Sequence, residues 1–131
     1  MNIFGIGTDI VNVKRMERSL KKYGFKFKNK IFSKKEITYC DNKKNPIPFY
    51  AKRFAAKEAL SKALGTGIRR GISFKNIEIS NNHFGKPQIR LKGSVNEYLK
   101  KKIKKKKYII HLSLSDEKSW AQATVIISYN Q

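Results

Sequence analysis

The 131-residue sequence holds a single cysteine, Cys40, and only nine Asp and Glu residues. One cysteine rules out an internal disulfide and any cysteine metal cluster. Cys40 is therefore expected to be an ordinary small residue, and a reducing compartment is the simple inference. Long apolar runs are also missing, and no stretch approaches the roughly 20 residues needed to span a bilayer. The start, "MNIFGIGTDIVNV", lacks the basic opening and small-residue cleavage site of a signal peptide. These absences predict a soluble, cytoplasmic protein. The scarcity of acid leaves 30 Lys and Arg residues unbalanced, for a net charge of +21. Such a surface should attract an anionic partner: nucleic acid, membrane, nucleotide or an acidic protein. A compositional bias toward Lys and Asn would produce the same excess, so charge alone does not name the partner.

What is present fits one globular domain over residues 1–131, long enough to bury a real core. "NIFGIGTDIV" reads as a strand over residues 2 to 9, ending near Asp9. "NVKRMERSLKKYG" reads as a helix with Val13, Met16 and Leu20 on one face, and Gly24 is a candidate stop. Ser33 followed by Glu36 is a capping-box signature and predicts a short helix. Pro46 and Pro48 precede a main helix over 49 to 64, which Gly65 ends. A hairpin is expected over 74 to 92, a third helix with Val95, Leu99 and Ile103 on one stripe, then two strands. That order favours an α+β fold with helices packed on a mostly antiparallel sheet.

Chemistry concentrates in "RFAAKEALSKALGTGI", residues 53 to 68. Residues four apart share a helix face, so Phe54, Glu58 and Lys62 form one row and Arg53, Lys57 and Ser61 another. Glu58 and Lys62 read either as a solvent-exposed ion pair or as chemistry held where the core meets water. Asp9 reads either as a cap of the first helix, a role Asn12 could also fill, or as a site carboxylate. If the first strand lies beside the main helix, Asp9 and Glu58 converge, and two carboxylates with water and phosphate oxygens suit Mg²⁺. "GTGIRRG" is a weak candidate phosphate cradle with Arg69 and Arg70, and a helix cap is the simpler role for Gly65. The run Lys100 to Lys107 reads as a solvated helix face, and Trp120 as core. His83 and His111 show no ligand spacing.

The combination of "GIGTDIV" with "RFAAKEALSKALGTGI" resembles the holo-(acyl-carrier-protein) synthase family, the small phosphopantetheinyl transferases. "FKNIEISNNHFGKPQI" resembles that family's central hairpin and "HLSLSDEKSWAQATVII" its final strand pair, so the likeness covers nearly the whole chain. The resemblance implies transfer of 4'-phosphopantetheine from coenzyme A to a serine of apo acyl carrier protein, in support of fatty acid biosynthesis, with release of adenosine 3',5'-bisphosphate. It implies Mg²⁺ held by Asp9 and Glu58, with Glu58 taking the serine proton directly or through a water. Lys62 would stabilise or protonate the leaving phosphate, and Arg53, Lys57 and Gly65 would help hold coenzyme A. It further implies a homotrimer with sites at subunit interfaces, and acyl carrier protein docking on Arg15, with Arg18, Lys21 and Lys22 beside it. One departure stands out: the family commonly has a His where this chain has Asp116. That residue would turn away, act as a third metal-side carboxylate, or weaken coenzyme A binding. The rival reading is a basic RNA-binding or ribosome-associated module.

Overall fold

In the computed structural model, which describes residues 1–68 and 72–131, β1 (Asn2–Asn12) leads into α1 (Val13–Ile31), α2 (Lys34–Asp41) and α3 (Ile47–Leu64). A single 3₁₀ turn at Phe74–Asn76 opens the hairpin β2 (Ile77–Asn81) and β3 (Pro87–Leu91). Then follow α4 (Gly93–Lys102), β4 (Tyr108–Glu117) and β5 (Trp120–Tyr129). All pairings among the described residues are antiparallel, but the strands divide into two sheets, β1-β5-β4 and β2-β3. The α+β expectation holds. Among the described residues no helix is long and apolar enough to cross a membrane.

Helix α3 packs on β1 and β5 and also meets α1, α2, β2 and β4. Its inward side is made of Ala51, Ala55, Ala59 and Ala63 together with Leu60 and Leu64, all buried. The helix can lie close to β1 because β1 presents glycine to it. A Cβ on Gly7 would sit 1.9 Å from the Ala59 carbonyl oxygen, and one on Gly5 1.9 Å from that of Ala63. Only glycine permits that approach.

Several expected boundaries moved. β1 runs on to Asn12 rather than ending near Asp9, because Asp9 to Asn12 keep pairing with Ala123 to Trp120. Asn12 caps α1 by accepting from the Arg15 backbone N–H, which leaves Asp9 free of a capping role. Gly24 breaks α1 as foreseen, at φ 57 and ψ −138, but helix resumes beyond it to Ile31. α3 starts two residues earlier than expected, with Pro46 just outside and Pro48 in its first turn, where a missing N–H costs nothing. α4 stops at Lys102, and Lys104 and Lys105 take left-handed φ of 55° and 61°. The lysine run is therefore only partly a helix face. Trp120 is not core: it is 48% exposed at the start of β5. Cys40 is buried as expected, and burial pushes its thiol up to about 12, so it is inert.

Beneath α3 lies a buried ion pair. Ser33 and Glu36 form the foreseen capping box, but Glu36 Oε1 also accepts from Lys57 Nζ at 2.8 Å, and both side chains are fully buried. Removing one partner from a buried pair leaves an uncompensated charge. Lys57→Met is thus expected to destabilise the fold by about 3–5 kcal/mol. A urea midpoint within experimental error of the parent would contradict that burial.

Candidate active site

The two rows of α3 take opposite environments. Arg53, Lys57 and Ser61 turn inward and are 3%, 0% and 0% exposed, whereas Glu58 is half-buried and Lys62 open. The period-2 face of β1 that offers Gly5 and Gly7 to α3 offers Asp9 next, at the rim where the helix leaves room. Asp9 and Glu58 therefore converge, as the motif implied. They line an open groove of ≈ 490 Å³ with Phe54, Arg15, Asn12 and Trp120.

Lys62 Nζ donates to Asp9 Oδ1 at 3.1 Å and to the Thr8 carbonyl at 3.0 Å. Its ion pair is thus with Asp9, across elements, and not the i,i+4 surface pair with Glu58 that spacing suggested. Burial first, and then the negative charge of Asp9, pushes the Glu58 carboxyl above its ordinary range, while Lys62 pulls it part of the way back. Two close carboxylates, one desolvated, make a place where a cation would relieve repulsion. The donors are oxygens alone, which suits a hard ion such as Mg²⁺ that keeps several waters. Among the described residues no group of three or more His, Cys, Asp or Glu gathers anywhere, so a metal here would rest on these two.

Asp116 turns away from the pair: it binds Lys52 Nζ at 3.2 Å and is no third carboxylate at the rim. The structure also corrects Lys57. Its ammonium is spent inside the core on Glu36, the Phe74 carbonyl and the Ile77 carbonyl, and cannot reach a ligand in the groove. Arg53 is inward too, with Nη2 donating to Asn81 Oδ1 at 2.8 Å, its guanidinium 4.0 Å above the Tyr39 ring, and Nε buried without a partner. Gly65 closes α3 in the left-handed conformation at φ 81. The N–H groups of Gly65, Thr66 and Gly67 all return to carbonyls of Ser61 or Lys62, so these residues cap the helix instead of cradling phosphate. Arg69 and Arg70, the rest of that expected cradle, lie outside the described residues.

Arg15, Arg18, Lys21 and Lys22 are exposed along the first half of α1. Lys21 lies 3.9 Å from Glu17, and Lys22 sits over the Tyr23 ring. Arg15 also lines the groove, so the basic face of α1 is continuous with the Asp9–Glu58 pair. The sequence reading missed Trp120 and Asn12 as groove walls. The pairing of Asn12 with Trp120 across β1 and β5 was the signal, visible only once the strand register was known.

The family model for the 4'-phosphopantetheinyl transferase superfamily matches residues 5–125. The chain belongs to that superfamily. It is 43% identical over 127 residues to the holo-[acyl-carrier-protein] synthase of Dinoroseobacter shibae, covering 96% of this chain and 91% of that protein. The synthase of Caulobacter vibrioides is 44% identical over 126 residues, with 95% of each chain covered. Among solved structures, the holo-[acyl-carrier-protein] synthase of Neisseria meningitidis superposes with a TM-score of 0.87 at 40% identity, covering 96% of this chain and 98% of that one. The Helicobacter pylori synthase, solved in complex with coenzyme A, gives 0.79 at 34% identity, with 94% and 99% covered. This transferase is therefore an enzyme, and its family membership replaces the RNA-binding reading.

Proposed function

We propose that the protein is a holo-(acyl-carrier-protein) synthase that moves 4'-phosphopantetheine from coenzyme A to a serine hydroxyl of apo acyl carrier protein, releasing adenosine 3',5'-bisphosphate. The observation that carries this reading is the convergence of Asp9 and Glu58 in one groove, with Lys62 bonded to Asp9. The names of the relatives above supply both substrates. Asp9 and Glu58 would hold Mg²⁺, which when bound supplies Lewis-acid neutralisation of the diphosphate. Glu58 faces the same groove and takes the serine proton directly or through one water. Lys62 is half-exposed on the same rim and offers its ammonium to the leaving phosphate oxygen. Phe54, stacked on Phe74 at 5.5 Å, forms an apolar wall of the groove.

Coenzyme A is held beside these groups with help from Arg53 and from the open space at Gly65. Arg53, itself buried, acts through Asn81, to which its Nη2 donates at 2.8 Å, and an added Cβ at Gly65 would meet nothing within 4 Å. The protein works in the cytoplasm, in fatty acid biosynthesis, as a homotrimer. The isoleucines on β1's exposed side, Ile6 and Ile10, 65% and 61% exposed, leave apolar surface that a neighbouring subunit would cover. The test of function is direct. Incubation with apo acyl carrier protein, coenzyme A and Mg²⁺ should add one phosphopantetheine to the carrier by intact mass. No mass gain with a competent carrier overturns the assignment.

Docking follows from the charge on α1. Arg15, Arg18, Lys21 and Lys22 would meet an acidic carrier protein and bring its serine to the groove that Arg15 already borders. Arg15→Glu is expected to raise KM for acyl carrier protein well above its effect on KM for coenzyme A. Added salt should weaken carrier binding as well, because exposed charges are screened. Equal effects on both substrates would place Arg15 in the coenzyme A site instead.

A further inference from the structure

We propose that the buried Glu36–Lys57 pair is a positioning device for Glu58, fixing the axial setting and rotation of α3 that turn the Glu58 carboxylate toward Asp9. It rests on the proposed role of Glu58 in the groove. All three protons of the Lys57 ammonium are assigned. One goes to Glu36 Oε1 at 2.8 Å, one to the Phe74 carbonyl at 2.7 Å, and one to the Ile77 carbonyl. Glu36 is equally committed: Oε1 also accepts from the Ser33 N–H at 2.8 Å, and Oε2 from the Ile79 N–H at 2.9 Å. Four segments thus meet at one charge pair: the start of α2, the 3₁₀ turn, β2 and α3.

A buried ion pair is a poor way to add stability alone, since apolar residues of similar volume commonly do as well. What it adds is direction, because charge-assisted hydrogen bonds are short and oriented. α3 needs that direction. Its seam with β1 is glycine against alanine, which fixes how near the helix lies but gives few side-chain ridges against sliding or turning. Lys57 and Glu58 are adjacent, so they are about 100° apart around the helix. A residue pinned in the core at 57 therefore fixes where 58 emerges. A misplacement near 1 Å at a reacting group can cost on the order of 100-fold in rate. Glu36 and Lys57 touch no reacting atom and act only through the position of α3.

The experiment separates position from stability. Glu36→Leu with Lys57→Met removes both charges and keeps bulk, so much of the lost melting temperature should return relative to Lys57→Met alone. In the double variant kcat should nonetheless stay about 10-fold or more below the parent while KM for both substrates moves less than about 2-fold. A crystal structure of the double variant should show the Glu58 carboxylate shifted from Asp9 by more than about 0.5 Å, the tolerance of a working site. If the double variant does not fold, Glu36→Gln is measured in the same way, since it releases the Ile79 N–H and leaves the pocket filled. An undisplaced Glu58 overturns the positioning role, whatever the turnover. A displaced Glu58 with parental kcat upholds the positioning and overturns the role given to Glu58 in transfer.

Discussion

Asp9→Ala should abolish phosphopantetheine transfer while leaving the melting temperature close to that of the parent. Asp9 sits at the rim with its side chain 17% exposed, and its partner Lys62 is 53% exposed. A pair that open to water contributes about 0–1 kcal/mol to stability. Its removal also takes a negative charge away from Glu58, which offsets part of the loss. The functional cost is of another size. One of two carboxylates that would hold the metal disappears, and Lys62 loses the group that holds its ammonium beside the groove. Loss of one preorganised electrostatic group costs about 100-fold or more in kcat. The measurement is transfer by intact mass alongside a thermal melt. Near-parental turnover in Mg²⁺ would remove Asp9 from the mechanism, and a collapsed melt would show that it holds the fold. Lys62→Ala is the companion variant: its kcat should fall with little change in melting temperature.

Gly7→Ala is expected to be severely damaging although it adds a single methyl group. The added Cβ would lie 1.9 Å from the Ala59 oxygen and 2.7 Å from the Ala63 nitrogen. Both are helix backbone, which cannot rotate aside as a side chain would. The helix has to withdraw from β1, and that opens the seam along Ala55, Ala59 and Ala63. Overpacking a well-filled core typically costs 1–3 kcal/mol, and a clash with main chain should reach at least about 3 kcal/mol. The same withdrawal draws Glu58 away from Asp9, so activity should fall even in the fraction that folds. Chemical denaturation reads the first effect and transfer per folded molecule reads the second. An unchanged denaturation midpoint would mean that glycine does not set the spacing between α3 and β1.

Local signals in the sequence were sufficient where the structure they specify is local. Ser33 and Glu36 announced the start of α2, and Gly65 announced the end of α3, because a cap is made by residues a few positions apart. The i,i+4 arithmetic separated the two rows of α3 but could not say which row faced in, since each carries charge. Lys57 was consequently read as a ligand group, and its burial depends on Glu36, 21 residues away, and on carbonyls of the hairpin segment. Gly5 and Gly7 stand in the first strand where their lack of a side chain is plain in the sequence. That they lie against the helix backbone followed only from the packing. The continuation of β1 to Asn12 depended on β5, and the exposure of Trp120 on its place at the strand's first residue. The candidate pair Asp9 and Glu58 was legible from the motif; its contact with Lys62 through Asp9 was not.

The break at Gly24 divides α1 into two lengths with different obligations. Before it stand Arg15, Arg18, Lys21 and Lys22, open to solvent and anchored by Met16 and Leu20. After it stand the residues tied to the rest of the molecule: Lys28 pairs with Asp41 at 3.2 Å, and Asn29 accepts from Lys75. Gly24 itself holds φ 57 and ψ −138, a backbone state that residues with a side chain rarely adopt. Because the tethered length is secured on the far side of that glycine, the charged length can diverge in sequence without unpicking the tethers. Grafting residues 13–23 from a relative that serves a different carrier should therefore transfer preference between carriers as a cassette, provided that Gly24 is kept.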